Sequence, residues 1–183
     1  ARWPVGTRER VWLHVLLYIG CRRGDAVTLG RQHVRNGVVT FLTEKGRERQ
    51  MIEVTRRIEP ELAATLEQGP VGDLVWIVGA HGRPFVKEAF GNAFKDACVA
   101  AGVPGSAHGV RKIAATTAAN NGATTAQLKA LFGWESDQMA EVYTKGADRD
   151  RLGREAGHML VNEERTSIPA PSHPVRATER KTK

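Results

Sequence analysis

Five separated segments of the chain carry side chains that bind phosphate or transfer protons. They are, in chain order, GCRRGD with Arg22, TEKGRER with Lys45, SAHGVRK with His108 and Arg111, LFGWES with Trp134, and EVYTKG with Tyr143. Arginine stays ionised and presents a fork of donors that matches phosphate. Histidine and lysine exchange protons, and a phenol becomes a nucleophile once it loses its proton. Together these residue types would suit the cleavage of a phosphodiester.

Each of these residues also has an ordinary structural interpretation when it is taken alone. Arg22 could be a cation at a helix C-terminus, Lys45 a solvated turn residue, and His108 part of a capping or surface pair. Trp134 and Tyr143 would, in isolation, more often be core or surface aromatics. The order, the spacing and the local context of the five segments therefore carry the argument, since no single segment does.

The arrangement resembles the tyrosine recombinases, the integrase family of phages and integrative elements. Their catalytic domain has an arginine after a helix-ending glycine with an acidic residue three positions on, a lysine in a β-hairpin, a His-x-x-Arg pair, a histidine or tryptophan after Leu-Gly, and then a tyrosine. The chain supplies each element in that order over roughly residues 5 to 155, with Asp25 as the acidic residue and LFGW in place of LGH.

The resemblance implies a catalytic role for each matching residue. Tyr143 would attack the phosphorus and form a 3′-phosphotyrosyl link. Arg22 and Arg111 would stabilise the negative charge that develops on the non-bridging oxygens. Lys45 would protonate the leaving 5′ oxygen. This is the chemistry of DNA strand cleavage and rejoining by a site-specific recombinase, in integration, excision or resolution of a mobile genetic element.

The remaining site residues would assist. His108 would orient the phosphate and share in proton transfer with the tyrosine, and Trp134 would donate one hydrogen bond through its indole nitrogen, although it cannot shuttle protons as histidine would. Asp25 would support the first arginine. The adjacent Arg23 is a rival for the role of Arg22, but the spacing to Asp25 favours Arg22.

Composition points to a polyanionic partner. The 183 residues contain 27 Lys and Arg against 20 Asp and Glu, a net charge of +7, which suits nucleic acid or an acidic surface. Further arginines cluster around the predicted sheet and are candidates for contact with the DNA backbone, the alternative being a solvated face. They are Arg31, Arg35, Arg47, Arg49, Arg56 and Arg57.

The sequence gives no sign of a cofactor. Cys21 and Cys98 lack metal-ligand spacing, the carboxylates show no cluster for magnesium, and there is no glycine-rich phosphate loop. We therefore expect no metal and no nucleotide. The longest apolar stretch, VWLHVLLYIGC, is too short to span a bilayer, and the two cysteines fit a reducing cytosol. The family resemblance implies a cytoplasmic, nucleoid-associated protein of bacterial or phage origin.

The pattern of elements predicts a mainly helical α+β domain around a small three-stranded antiparallel β-meander. Thr7 would cap a first helix that ends near Gly20, and Asn36-Gly37 predicts a hairpin turn between the first two strands. The second turn would carry Lys45. Later helices would begin at caps or at a proline, namely Pro60, Ser106, Thr124 or Thr125, and Ser136.

The expected boundaries are a catalytic domain over residues 1–160 and a flexible or partner-docking tail over residues 161–183. In the family an N-terminal helical domain completes a clamp around the DNA, and four protomers assemble on two sites. Nothing of that first domain is recognisable here and the chain begins at Ala1. We therefore expect a piece of a longer protein, weak DNA binding by this chain alone, and partners that include recombination sites and directionality or accessory factors.

Two alternatives remain. The stretch TTAQLKALFGWESDQMAEVYTKG has the outline of a helix-turn-helix DNA reader, which would explain the charge but not Arg22, Lys45 or His108. Type IB topoisomerases use a similar residue set, but their tyrosine generally follows a long linker. Here 32 residues separate Arg111 from Tyr143.

Overall fold

The computed structural model describes residues 2–45, 50–146 and 149–161. The described chain is mainly helical with one three-stranded antiparallel sheet, which confirms the predicted α+β class. The helices are α1 (Arg8–His14), α2 (Arg23–Ala26), α3 (Pro60–Gln68), α4 (Lys87–Ala100), α5 (Ala107–Asn120), α6 (Thr125–Phe132), α7 (Asp137–Thr144) and α8 (Arg149–Ala156), and the strands are β1 (Val34–Arg35), β2 (Val38–Lys45) and β3 (Gln50–Arg57).

The first helix begins and ends where the sequence predicts. The Thr7 hydroxyl accepts a hydrogen bond from the Arg10 amide at 3.3 Å, which caps α1. A π-helical turn over Val15–Ile19 continues the helix to Gly20, whose φ of 62° is left-handed. A Cβ at this position would lie 2.8 Å from Cε1 of Phe132, so glycine is required both for the turn and for the contact.

The sheet has the predicted meander order β1-β2-β3. Asn36 and Gly37 have φ values of 51° and 72°, as the two central residues of a tight hairpin turn require. One prediction is wrong in detail: Lys45 is the last residue of β2, paired with Gln50 of β3, and does not lie in the turn. The eight-residue strands simply extend further than the turn signal suggested, and residues 46–49 lie outside the described chain.

The main core joins the first helix to α4 and the sheet. Trp12, Leu16, Phe90 and Phe94 are all buried in it, and the rings of Trp12 and Phe90 meet edge to face with centroids 5.8 Å apart. A second cluster holds the region from α5 to α7 together and contains Ala115, Ala119, Leu128, Phe132, Trp134 and Ala140. The site described below lies where residues of the two clusters meet.

The helices that follow the main core begin at the predicted caps. The Ser106 hydroxyl accepts from the Gly109 amide at 3.1 Å, and Thr124, rather than Thr125, forms a reciprocal capping box with Gln127. Ser136 occupies the N-cap of α7 without a side-chain capping bond. These starts fix which residues of α5 and α7 lie on each face of the two helices.

The described residues up to Gly146 belong to one compact unit, and residues 149–161 belong to a second. Within the second unit α8 leads into a 3-10 turn over Gly157–Leu160. The predicted tail beyond Val161 lies outside the described residues. Over the parts of the chain that are described, no helix combines the length and the apolar character needed to cross a bilayer.

Candidate active site

Five of the six predicted catalytic residues line one groove of about 1050 Å³ in the first compact unit. α2, α4, α5 and α7 contribute residues to it, together with the segment before α2, the loop after α6, Leu42 of β2 and Met51 of β3. The five residues are Arg22, His108, Arg111, Trp134 and Tyr143. The sixth, Lys45, ends β2, and its side chain lies outside the described part of the structure.

Arg22 is held by a polar network between the start of α2 and strand β2. Its Nη1 donates to the hydroxyl of Thr43, and that hydroxyl donates to Asp25 Oδ2 at 2.7 Å. The same carboxylate oxygen accepts from the Arg22 amide at 3.2 Å. Asp25 thus lies where the sequence placed a supporting residue. Thr43, 1% exposed, was missed, although its place in the inward alternation of β2 could have identified it.

Burial governs the protonation of Asp25. Loss of solvent raises the pKa of this carboxyl above its ordinary value, while the hydrogen bonds from Thr43 and from the Arg22 backbone lower the pKa. The net direction is upward, because desolvation disfavours the charged form.

Arg111 is the most enclosed cation that lines the groove, at 8% exposure. Its Nη1 donates to the carbonyl of Gly20 at 2.7 Å and its Nη2 to the carbonyl of Phe132 at 2.6 Å. Burial and the neighbouring charge of Arg22 lower the pKa of Arg111 to about 10, so the guanidinium is still ionised at neutral pH. The two carbonyls orient it, and its other donors remain for a ligand.

Three aromatic rings form a stacked column that ends at the tyrosine. Phe132 and Trp134 stack with centroids 4.9 Å apart, and Trp134 and Tyr143 stack at 5.3 Å with an interplanar angle of 11°. The guanidinium of Arg111 lies 5.3 Å from the centroid of Phe132 and 5.9 Å from that of Trp134. The column therefore brings Tyr143 to the same wall of the groove as Arg111.

His108 lies in the first turn of α5, where it is exposed. It is one helical turn before Arg111, so both side chains reach the groove. Arg23, the rival of Arg22, also lines the groove, but it is exposed. Its guanidinium packs over α4, where a Cβ on Gly91 would lie 2.4 Å from Nη1.

The groove carries a strong excess of positive charge. Besides Arg22, Arg23 and Arg111, two lysines that sequence reasoning missed reach it, Lys87 from α4 and Lys112 from α5. Among the described residues that line it, Asp25 is the single carboxylate. A concave surface with this imbalance favours a polyanion.

The arginines predicted to contact DNA have separate locations. Arg31, Arg35 and Arg57 are exposed, whereas Arg47 and Arg49 lie outside the described residues. Arg56 differs from them: it is only 9% exposed, because it lies on the inward face of β3, the same face as Val54.

No group of three or more His, Cys, Asp or Glu side chains that could hold a metal ion occurs among residues 2–45, 50–146 and 149–161.

Comparison with known proteins gives consistent results. The family described as "Phage integrase family" matches residues 2–149. A tyrosine recombinase XerD from Xanthomonas campestris is 27% identical over 158 residues, which are 77% of this chain and 49% of the relative. The chain thus spans about half the length of that curated relative.

Solved structures share the fold at low sequence identity. A crystal structure of XerA recombinase matches with a TM-score of 0.61 and 17% identity, over 85% of this chain and 57% of the other. A lambda integrase dimer bound to a COC' core site matches with a TM-score of 0.61 and 18% identity, over 78% and 53%. A XerH site-specific recombinase bound to difH substrate matches with a TM-score of 0.53 and 20% identity, over 82% and 46%.

Proposed function

Because this chain belongs to the phage integrase family, we propose that it is the catalytic domain of a site-specific tyrosine recombinase, which cleaves and rejoins DNA strands. The observation that carries the proposal is the convergence of two arginines, a histidine, a tryptophan and a tyrosine on one cationic groove. The two arginines, Arg22 and Arg111, are 89 positions apart in the sequence, yet both line this groove. A surface of unrelated function would not require them to meet.

The two arginines would bind the scissile phosphate. Arg111 is oriented by two backbone carbonyls and Arg22 by Thr43, so each guanidinium is positioned before the phosphate arrives. Fixed donors of this kind stabilise developing charge without reorganisation in the transition state. Loss of one such group is expected to slow cleavage by about 10² to 10³.

Tyr143 would be the nucleophile. Its phenol oxygen would attack the phosphorus and lose its proton, with His108 sharing in that proton transfer from the same groove. The 5′ oxygen would leave with a proton from Lys45. Trp134 would hold the phenol ring by stacking. The phosphotyrosyl ester keeps the energy of the broken bond, so a 5′ hydroxyl can reverse the step and rejoin the strand without a nucleotide.

The substrate and partners follow from the relatives by analogy. One matching structure is titled as bound to a difH substrate and another as a lambda integrase tetramer bound to a Holliday junction. We propose double-stranded recombination sites as the substrate of this chain, assembly of four protomers on two such sites, and a role in integration, excision or resolution of a mobile element with accessory factors.

A nicked duplex tests the proposal. Strand cleavage next to a nick releases a short fragment and traps the covalent intermediate. We expect a denaturation-resistant protein–DNA adduct in the presence of a chelator, absent in Tyr143→Phe. The chain has one other tyrosine, Tyr18, and Tyr18→Phe is the matched control that retains the adduct. DNA binding without any adduct, from the longest natural form of the protein too, would instead favour the helix-turn-helix alternative.

A further inference from the structure

We propose that Arg56 is a positioning residue of this site, which holds Arg111 in place and adds positive charge behind the phosphate position without touching DNA. The inference rests on the proposed function for its catalytic consequence, but the structural features that support it belong to the free protein.

Arg56 is a buried cation with hydrogen-bond donors that lack acceptors. Its side chain is 9% exposed, and Nε and Nη2 have no hydrogen-bond partner among the described residues. Leaving donors of a charged group unpaired in a protein interior is costly. A methionine or leucine would fill the same space without that cost, so the position of this guanidinium calls for an explanation other than folding stability.

Arg56 packs against the two residues that orient Arg111. Its guanidinium lies 5.1 Å from the ring centroid of Phe132. A Cβ on Gly20 would be 3.5 Å from Arg56 Nη1. The carbonyls of Gly20 and Phe132 are the acceptors of Arg111. A change in the volume or charge at Arg56 would therefore reach Arg111 through both of its anchors.

The positive charge of Arg56 also interacts electrostatically with the positive charge of Arg111. Both guanidinium groups lie about 5 Å from the same ring centroid, so they are within about 10 Å of each other. Burial and the charge of Arg111 lower the pKa of Arg56 to about 10, and it stays ionised at neutral pH. Two like charges in a poorly solvated region repel each other until an anion arrives. A bound phosphate would relieve that repulsion, so this pair favours phosphate binding.

Anion binding provides the first test and does not depend on activity. The melting temperature of the protein is measured with sulfate and with chloride at equal ionic strength, for wild type, Arg56→Met and Arg56→Lys. We expect sulfate to raise the melting temperature of wild type and Arg56→Lys clearly more than that of Arg56→Met. Equal sulfate effects in all three proteins would overturn the inference.

DNA cleavage provides the second test. The nicked duplex is prepared with a normal phosphate and with a neutral methylphosphonate at the scissile position. On the normal substrate we expect Arg56→Met to cleave about tenfold more slowly than wild type. This is the expected effect of removing one unit charge about 10 Å away in a protein interior. Arg56→Lys should recover most of the rate.

The neutral substrate separates charge from structure. If Arg56 acts on the charge of the phosphate, the difference between wild type and Arg56→Met should largely disappear on methylphosphonate. The same tenfold loss on both substrates, or no loss on either, would contradict the charge role. A wild-type protein that shows the Arg56-dependent sulfate effect but forms no DNA adduct would contradict the proposed function and leave the inference on Arg56 standing.

Discussion

At the scale of single residues, Arg111 shows how a buried guanidinium is both kept charged and oriented. Gly20 and Phe132 accept two of its hydrogen bonds through backbone carbonyls, so the groups that orient it directly belong to the main chain. No carboxylate neutralises it directly among its described hydrogen bonds. Its charge is therefore available to a ligand, which a buried Arg–Asp pair would not allow.

Trp134 offers the clearest separation of packing from hydrogen bonding. We expect Trp134→Phe to keep the stack between Phe132 and Tyr143 and to lower the cleavage rate by less than about tenfold, the value of one lost neutral hydrogen bond. Trp134→Ala should remove the stack, cost about 3 kcal/mol of stability and reduce adduct formation much further.

Rates of adduct formation and thermal unfolding of the two Trp134 variants check this pair. A Trp134→Phe variant as slow as Trp134→Ala would show that the indole N–H, and not the stack, supports Tyr143.

Asp25 gives a pH-dependent prediction. Burial raises the pKa of its carboxyl above the ordinary value of 3.8, so the folded protein binds this proton more tightly than the unfolded chain does. Its contribution to stability is thus complete below the unfolded pKa and is lost as the pH rises through the folded pKa.

Asp25→Asn resembles the neutral form of the carboxyl. We expect its free energy of unfolding, relative to that of wild type, to be highest at neutral pH and to decrease as the pH falls towards 4, because wild type then gains stability from protonation of Asp25. Denaturant unfolding of both proteins from pH 7 to pH 4 measures the difference. A difference that changes in the opposite direction would mean that the hydrogen bonds of Asp25 outweigh its desolvation.

At the scale of elements, the turn between α6 and α7 determines where the tyrosine helix begins. Gly133 has a φ of 54°, and a Cβ there would lie 2.7 Å from Cγ2 of Thr43 and 3.1 Å from Cγ2 of Val54. The loop therefore packs directly on the sheet, next to the threonine that binds Arg22.

We expect Gly133→Ala to destabilise the protein by about 2 to 4 kcal/mol, from left-handed strain and overlap with Thr43. Gly37→Ala is the matched control: Gly37 also has a positive φ, of 72°, but nothing lies within 4 Å of its Cβ position. The control should cost about 1 to 2 kcal/mol, the strain alone. Equal losses of unfolding free energy would show that the loop does not depend on the close contact with the sheet.

The elements were largely predictable because their ends carry local signals. The caps at Thr7, Ser106 and Thr124 and the hairpin at Asn36-Gly37 act over a few residues, and all four are confirmed. The burial of Arg56 was not predictable from such local signals. It follows from strand register, since β3 buries alternate residues and an arginine falls on the inward side beside Val54.

The groove was predictable only in part from the sequence. The spacing of its motifs predicted which residues converge, but the lysines on its rim, Lys87 and Lys112, come from helix faces that no motif marks. Their positions depend on how α4 and α5 pack against the first helix, which the sequence does not reveal locally.

At the scale of the whole chain, the net charge is +7, and the described residues that line the groove include five Lys and Arg side chains and one carboxylate. We expect the DNA affinity of Lys87→Gln and Lys112→Gln to fall and the slope of log affinity against log salt to decrease by about 1 for each phosphate contact removed. Lys129→Gln is the control, because Lys129 is paired with Asp137 at 2.7 Å and does not line the groove. Filter binding across a salt series measures these slopes. If the slope decreases as much for Lys129→Gln as for the groove variants, the groove is not the surface that binds DNA.

The most direct measurement on the central claim is the identity of the amino acid that becomes linked to DNA. The trapped adduct is digested with trypsin and nuclease, and the modified peptide is identified by mass spectrometry. We expect a nucleotide mass on Tyr143, within the peptide Ala130–Lys145, while the peptide Val11–Arg22 that contains Tyr18 stays unmodified. A nucleotide mass on any other residue, or an adduct that persists in Tyr143→Phe, would contradict the assignment of Tyr143 as the nucleophile.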